Sequence, residues 1–215
     1  MNITKYGHCC MLVEEGGVRV LTDPGSLTVE MHQDLKNIDI ILYTHEHHDH
    51  YHLESLKKIL TNNPDATVLC NPSVGALLEA EGITHTVISD GDSDESRGLL
   101  IEGHGTVHAV VHSSMPPMGN TGYRIASRLW YPGDAFGNPH GAVEILALPV
   151  AGPWMKLSEA VDYALEIKPS ICFPVHDGIL NPAVAAGVTL TLPKKILESS
   201  GVQYAGLTPG IAATF

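Results

Sequence analysis

The stretch Thr44-His45-Glu46-His47-His48-Asp49-His50 directly follows an apolar run, residues 38–43, that has the composition of a buried strand. It places four histidines and two carboxylates within six residues. Crowded ionisable side chains repel one another, and each needs a partner when it leaves water. A bound cation meets both needs, because imidazole and carboxylate groups are ligands of zinc and similar divalent metals. The stretch therefore predicts a metal site at the end of a strand.

The spacing within this stretch favours two metal ions over one. His45, His47, Asp49 and His50 form the pattern H-x-H-x-D-H. A zinc-protease helix with the motif H-E-x-x-H would need histidine at position 49, where this chain has aspartate. On a loop after a strand, His45 and His47 can point the same way. Asp49 and His50 can then turn toward a second point.

Further ligands are expected from the ends of later strands. We choose His112, which ends an apolar run and precedes two serines, as a ligand of the first metal. Asp134 follows a predicted strand, where a carboxylate could bridge two cations, and His176 ends another strand. For His104 and His108, a place on the surface or beside the site is favoured over ligation.

Several other polar or reactive residues have a structural interpretation as well as a functional one. Asp23, in Leu-Thr-Asp-Pro, is either a turn former or a group that orients a ligand histidine. His140 is one more candidate ligand. Residues 90–98 are interpreted as a solvated loop, because their spacing does not match a calcium-binding EF-hand. Cys9 and Cys10 are interpreted as strand residues, since no activating partner is evident.

Hydrophobic periodicity predicts alternating strands and helices in two similar halves. The predicted strands cover residues 3–6, 10–13, 18–22, 38–43, 67–70, 99–101, 107–112, 122–126, 129–131, 143–150, 170–175 and 202–207. The predicted helices cover about residues 52–61, 72–81 and 157–167, with another at 182–186 or 193–199. The order predicts an α/β sandwich of two sheets with helices outside, in a single domain over residues 1–215.

The amino-acid composition argues against some classes of binding partner. The chain has 24 acidic and 12 basic residues and a formal net charge of −12, which argues against nucleic acid and anionic membranes as primary partners. No signal peptide is recognised, and no apolar run approaches the roughly 20 residues of a membrane span. The four cysteines form no C-x-x-C pair. A reduced, cytoplasmic protein is therefore expected.

Taken together, these motifs resemble the metallo-β-lactamase superfamily, and within it the compact group of L-ascorbate-6-phosphate lactonase-like proteins. The matching segments are residues 6–10 (YGHCC), 21–24 (LTDP), 44–50 (THEHHDH), 111–113 (VHS), 131–134 (YPGD), 148–155 (LPVAGPWM) and 174–177 (PVHD). They extend over almost the whole chain. Two positions depart from the group: Asp177 stands where many relatives have tyrosine, and Ala151 lies in a stretch that is usually richer in glycine. Both departures bear on substrate contacts more than on metal binding.

The resemblance implies a four-layer αββα sandwich with a site at one edge that holds two divalent metal ions. Zinc is the expected metal, with manganese, iron and nickel as alternatives. The implied ligands are His45, His47 and His112 for the first metal, Asp49, His50 and His176 for the second, and Asp134 as a bridge. Asp23 and His8 are expected beside the site, with Asp23 supporting a ligand. Asp49 and Asp134 are also assigned a catalytic role.

The expected activity is hydrolysis of an ester, lactone or phosphodiester-type bond in a small molecule by a hydroxide that bridges the two metals. The alternative is a non-catalytic metal-binding or sensor protein on the same fold, since a fold does not fix a function. The expected partner is a small-molecule substrate, rather than a nucleic acid or a membrane. The sequence leaves open whether the protein forms oligomers.

Overall fold

Fourteen strands form two seven-stranded sheets. The structure is a computed structural model that describes the backbone of residues 1–215 and the side chains of all residues except Pro182 and Val184. The strands are β1 (Asn2–Gly7), β2 (Cys10–Glu15), β3 (Val18–Thr22), β4 (Ile40–Tyr43), β5 (Thr67–Cys70), β6 (Thr86–Val87), β7 (Ser93–Asp94), β8 (Ile101–His104), β9 (Gly122–Ile125), β10 (Leu129–Tyr131), β11 (Ile145–Pro149), β12 (Ile171–Val175), β13 (Gln203–Tyr204) and β14 (Ala212–Thr214). The α-helices are α1 (Val29–His32), α2 (Leu53–Asn62), α3 (Pro72–Ala80), α4 (Leu157–Ile167), α5 (Pro182–Ala185) and α6 (Leu192–Ser199). A 3₁₀ turn covers Ser26–Thr28, and a π-helical segment, Ala186–Thr191, joins α5 to α6.

The two sheets share one pattern of strand directions. The first has the order β14-β1-β2-β3-β4-β5-β6, and the second has the order β13-β12-β11-β10-β9-β8-β7. Strands β3 to β6 run parallel, and so do β10 to β13. The remaining neighbours in each sheet are antiparallel. Each sheet therefore begins as an antiparallel meander and continues as a parallel segment.

Alternation along the central strands creates four layers. In β4, Ile40 and Leu42 face a core between the two sheets, whereas Ile41 and Tyr43 face the outer layer that contains α2 and α3. The second sheet contributes its own inner face to the central core and packs its outer face against α4 and α6. This arrangement confirms the predicted αββα sandwich. Among the described residues, no helix combines the length and the apolar composition that crossing a bilayer requires.

Two parts of the predicted element list need correction. The strand predicted at 107–112 is wrong, since Val107 forms only an isolated bridge to Gly119 and the following residues are irregular. Its apolar side chains do not face a core: Val107 is 55% exposed and Val110 is 71% exposed. In the tail, both of the alternative helices are present, as α5 and α6.

The ends of the strands bring the polar motifs to one edge of the sandwich. Asp23 directly follows β3, and Thr44 begins the histidine-rich stretch directly after β4. In the second sheet, Asp134 comes soon after β10 and His176 directly follows β12. Because the carboxyl ends of parallel strands meet at the same edge of a sheet, both sheets deliver side chains to one place.

Gly25 shows how tightly the histidine-rich stretch is packed. The neighbouring Ser26 N–H donates to the carbonyl of His48 at 2.8 Å. A Cβ atom on Gly25 would lie 1.9 Å from the carbonyl oxygen of Asp49 and 2.6 Å from the nitrogen of His50. The backbone of Gly25 is extended, with φ −88°, so the close approach, not an unusual φ, demands glycine here.

We predict that Gly25→Ala lowers the free energy of unfolding by about 1–3 kcal/mol, because the extra methyl group must displace the backbone of Asp49 and His50. Urea unfolding measures the change. The control is Gly187→Ala, since a Cβ atom there meets nothing within 4 Å. Equal stability of Gly25→Ala and the wild type would contradict this account of the packing.

Candidate metal centre

Two groups of side chains converge at the edge where the strands end. In the first, His45, His47, His108 and Asp134 each offer a ligand atom within 4.8 Å of the others. The second consists in the same way of His8, Asp49, His50 and His176. The side chains of His45, His50, Asp134 and His176 are all at most 3% exposed. Ionisable groups buried this densely need either proton sharing or a cation.

Asp134 connects the two groups. Its Oδ1 lies 3.1 Å from Nε2 of His50, and its Oδ2 lies 2.9 Å from Nε2 of His176, both in the second group. The same Oδ2 lies 3.4 Å from Nε2 of His108 in the first group. One carboxylate therefore reaches both groups, which is the position expected for Asp134 from the sequence.

Hydrogen bonds fix which nitrogen of His50 is free. Its Nδ1 lies 2.7 Å from Oδ2 of Asp23 and donates its proton to that carboxylate. Asp23 also accepts from the backbone N–H and the hydroxyl of Thr44, at 2.8 and 2.6 Å. Asp23 thus lies beside the site and supports a candidate ligand, and Nε2 of His50 faces Oδ1 of Asp134.

The first group is oriented by similar bonds. His108 Nδ1 lies 2.6 Å from the carbonyl oxygen of Ala109, so this nitrogen carries the proton and Nε2 is bare. The Thr44 hydroxyl gives its proton to Asp23, so its oxygen accepts from Nδ1 of His45 at 3.0 Å. Nε2 of His45 is therefore bare as well.

His47 completes the first group. Its Nδ1 lies 3.0 Å from the bare Nε2 of His45 and donates its proton to that nitrogen. Its Nε2 lies 3.1 Å from the sulfur of Met118, a weak hydrogen-bonding partner, so this nitrogen is available to a cation.

The electrostatics of the site favour positive charge. Burial lowers the pKa of His45 well below its ordinary value, so its imidazole is neutral, the form that binds metals. Burial also opposes a charge on His50, yet Asp134 and Asp23 raise its pKa well above the ordinary value. Burial likewise opposes ionisation of Asp134, but His50, His108 and His176 hold its pKa well below the usual range. Without a metal, His50 is therefore protonated and offsets part of the negative charge of Asp134 and Asp23, a role that a divalent cation would take over.

Unpaired polar atoms provide a test of whether these residues fit a metal. Among the described side chains, the buried atoms without a hydrogen-bond partner include Nε2 of His50, Nε2 of His108, Oδ1 of Asp134 and both ring nitrogens of His176. Buried polar atoms are normally paired, so a cluster of unpaired ones needs an explanation. Divalent cations ligated by these atoms would provide it, and the donor set of imidazole and carboxylate suits zinc and related metals.

His8 belongs beside the site, not among its ligands. Its Nδ1 accepts from the N–H of Gly178 at 3.2 Å, so Nε2 carries the proton and donates to Oδ2 of Asp49 at 3.1 Å. Burial lowers the pKa of His8 to about 4, which keeps the ring neutral despite the carboxylate. A ring with both nitrogens engaged has no lone pair left for a metal.

The structure does not bring His112 to the site. Its side chain is exposed, and Nδ1 lies 2.7 Å from the hydroxyl of Ser114. His108, which the sequence interpretation placed on the surface or beside the site, lies in the first group instead. The wrong choice between the two histidines follows from the wrong strand prediction at 107–112. The chain is irregular there, and it buries His108 and exposes His112.

The other residues considered from the sequence lie outside the two groups. Glu46 accepts from the hydroxyl of Ser73 at 2.5 Å, and His48 is exposed. His104 and His140 lie together in a separate cluster. The sulfur of Cys9 lies near His50 and Asp134, but burial raises the pKa of its thiol and favours the protonated form.

Sequence reasoning missed the groups that hold Asp134. Trp154 donates from its indole N–H to Oδ2 of Asp134 at 3.0 Å. Asn120 accepts from the Asp134 N–H at 3.0 Å and donates to the carbonyl of Pro132 at 2.9 Å. Tyr131 donates its hydroxyl to Asp23. No spacing rule points to these partners, although Trp154 lies in one of the segments that carry the family resemblance.

Comparisons with known proteins place this site in a family. The family model described as "Beta-lactamase superfamily domain" matches residues 2–176. The chain belongs to the metallo-β-lactamase superfamily of metal-dependent hydrolases. Protein Rv0786c of Mycobacterium tuberculosis is 36% identical over 187 residues, which cover 85% of this chain and 86% of the relative.

One further relative and one solved structure are similar to this chain. The UPF0173 metal-dependent hydrolase TV0864 of Thermoplasma volcanium is 27% identical and covers 90% of this chain and 96% of its own length. The structure of Igni18, described as a novel metallo hydrolase from the archaeon Ignicoccus hospitalis, superposes with a TM-score of 0.79 at 22% identity. It covers 100% of this chain and 97% of its own length, and it establishes the shared metallo-β-lactamase fold.

We predict that His108→Ala lowers the affinity for zinc by more than the roughly 10–100-fold that is typical of changes beside a metal ligand. His112→Ala is the matched control and should retain the wild-type affinity, because His112 is exposed and outside both groups. Competition with a chromogenic chelator measures both affinities. The reverse order of effects would restore His112 as the ligand.

Proposed function

We propose that this protein is a binuclear hydrolase of small-molecule esters or lactones whose acyl part is apolar. The observation that supports the proposal is that the carboxylate of Asp134 lies within 3.4 Å of histidine nitrogens in both groups. The proposed ligands are His45, His47 and His108 for one cation, Asp49, His50 and His176 for the other, and Asp134 for both. Zinc fits this donor set, with manganese, iron and nickel as alternatives.

The protein's own contribution is to hold these groups in place before substrate arrives. Divalent cations bound here would lower the pKa of a bound water and polarise the oxygen of the scissile bond. Asp23 fixes the ring of His50 and, through the hydroxyl of Thr44, the ring of His45. Trp154 fixes one oxygen of Asp134. Such preorganisation removes the cost of reorienting dipoles during the reaction.

Asp49 is the carboxylate that solvent can reach. Its side chain is 15% exposed, whereas that of Asp134 is 2% exposed. The N–H of His8 keeps Oδ2 of Asp49 directed toward Nε2 of His176, which lies 3.6 Å away. Burial opposes the ionisation of Asp49, but His8 and His50 hold its pKa well below the usual range. We propose that Asp49 orients water that enters the site by accepting its hydrogen bond, and that both Asp49 and Asp134 remain ionised.

The substrate class is suggested by a cavity beside the first group. It has a volume of about 390 Å³, and His108 and Met118 form part of its wall. Met118 also contacts His47, so the cavity adjoins the first group of the proposed metal centre. Most of the remaining lining is apolar, including Val107, Val110, Val111, Met115 and Pro116.

The residues that line the cavity also favour one type of scissile bond over another. Among the described residues, no lysine or arginine lines this cavity. A phosphodiester carries a negative charge that such a wall would not compensate, whereas an acyl chain or aryl group would gain from its burial. The apolar wall therefore favours a neutral ester or lactone over a phosphodiester.

We also propose a cellular location and a general class of substrate for the enzyme. A cytoplasmic location is supported by four buried free cysteines. A small-molecule substrate, rather than nucleic acid, is supported by the net charge of −12.

We predict that metal-loaded protein hydrolyses members of a panel of esters and lactones, and that Asp134→Asn lowers kcat/KM on the order of 10³-fold, because a bridging carboxylate becomes a neutral amide. Metal content and circular dichroism should show lost metal and a retained fold. Asp65→Asn, at an exposed position, is the control. An inactive wild type across the panel, or an active Asp134→Asn with full metal content, would sink the proposal.

We predict that kcat/KM rises by up to about fourfold for each methylene added to the acyl chain, since a fully buried methylene contributes about 0.8 kcal/mol. Val110→Asp should remove this dependence, because it places a charge in the apolar wall. Ile196→Asp, on the helix α6, is the matched control and should keep it. A rate that is independent of chain length in the wild type would refute an apolar acyl pocket.

A further inference from the structure

A third cluster of metal-ligating side chains lies outside the centre described above. Asp90 lies in the turn after β6, His104 ends β8, and His140 lies in the loop between β10 and β11. Each offers one ligand atom, and these atoms lie within 4.8 Å of one another. The ring centroids of His104 and His140 are 5.2 Å apart, with a tilt of 37°.

The geometry points to a separate binding site for a divalent transition-metal ion on Asp90, His104 and His140. Two imidazoles and one carboxylate match the preference of zinc, nickel and copper, whereas calcium and magnesium prefer oxygen ligands alone. Asp90 and His140 are exposed, so water can complete the coordination sphere.

An unpaired nitrogen supports this site independently. Nε2 of His104 is buried and has no hydrogen-bond partner among the described atoms, although the ring itself is only partly buried. A nitrogen that neither water nor protein satisfies loses free energy unless something else binds it. A cation shared with His140 and Asp90 would give this nitrogen a partner.

Two backbone features hold the other ligands in place. Oδ1 of Asp90 accepts from the N–H of Gly105 at 2.8 Å, which directs the carboxylate toward the end of β8. His140 has a left-handed backbone, with φ 51°, and its N–H donates to the side chain of Asn138 at 2.8 Å. Non-glycine residues adopt this conformation uncommonly, and histidine does so more readily than most.

The charges near the cluster do not oppose a cation. The positive charge of Arg124 acts on His104, but its Nε lies 4.0 Å from a carboxylate oxygen of Glu102. This ion pair is neutral as a whole, so the carboxylate of Asp90 remains to attract a cation. The ion would therefore meet a negative local field.

The site connects two segments that lead to the main centre. His104, the last residue of β8, lies four residues before His108, and His140 lies six residues after Asp134 in the loop between β10 and β11. A cation bound by both histidines would join these segments to each other and to the turn of Asp90. It thereby restrains the segments that position His108 and Asp134.

The test is the number of ions bound per chain. Full-length protein is equilibrated with excess zinc, passed through a desalting column, and measured by elemental analysis before and after a mild chelator. The variants are His140→Asn, since asparagine tolerates the left-handed backbone, and Asp90→Asn, which keeps the acceptor for Gly105. The control is His85→Asn, which lies outside all of the clusters found among the described residues.

We expect the mild chelator to remove one more zinc ion per chain from the wild type and from His85→Asn than from either cluster variant. The number of zinc ions that resist the chelator should be the same in all four proteins. The same ion must be missing from both His140→Asn and Asp90→Asn. Equal zinc content in wild type and both cluster variants, or loss in only one of the two, overturns the site. This outcome is independent of whether the protein hydrolyses any ester.

Discussion

The carboxylate of Asp23 is the interaction on which both the sandwich and its metal centre depend. It is fully buried, and burying a charge without partners would cost several kcal/mol. Its partners come from separate parts of the chain: the backbone and hydroxyl of Thr44, the ring of His50, and the hydroxyl of Tyr131 on the opposite sheet. All of them must be in place for the carboxylate to be satisfied. Correct docking of the two sheets and correct orientation of His50 are therefore consequences of the same set of bonds.

Three of the eight non-glycine residues with a positive φ lie at the same edge of the sandwich. His8, Asp23 and His176 have left-handed conformations, with φ of 48°, 38° and 59°. Such conformations cost of order 1–3 kcal/mol each and persist only where the surroundings impose them. Here the N–H of His176 donates to the carbonyl of His8, so two strained turns support each other. The sharp turns let side chains leave the ends of their strands and converge, which regular continuation of the strands would prevent.

The sequence predicted the layers and most of the elements because burial imposes a period on each of them. The helix at 157–167 and the αββα architecture follow from that period, and the spacing of Thr44–His50 correctly predicted a crowded polar edge. The prediction failed at His108 and His112, because the valines between them look like a strand but are exposed and belong to an irregular loop. Which of two histidines faces inward there depends on tertiary contacts, such as the bond from the N–H of Ala109 to the carbonyl of Asp134 and the contact between Met118 and His47. The hydrogen bond that Trp154 donates to Asp134 and the one that Asn120 accepts from the Asp134 N–H are likewise fixed only by tertiary structure.

The division of the centre between the two sheets has a thermodynamic consequence. The loops of the first half of the chain contribute His45, His47, Asp49 and His50, and those of the second half contribute His108, Asp134 and His176. Cations that bind this set bind the assembled sandwich and not its separated halves, so their affinity is coupled to folding. Each tenfold rise in free metal above the dissociation constant would add about 1.4 kcal/mol to the stability of the fold. The lifetime of the protein in a cell would then follow the metal supply of that cell, and metal starvation would deplete the enzyme as well as inactivate it.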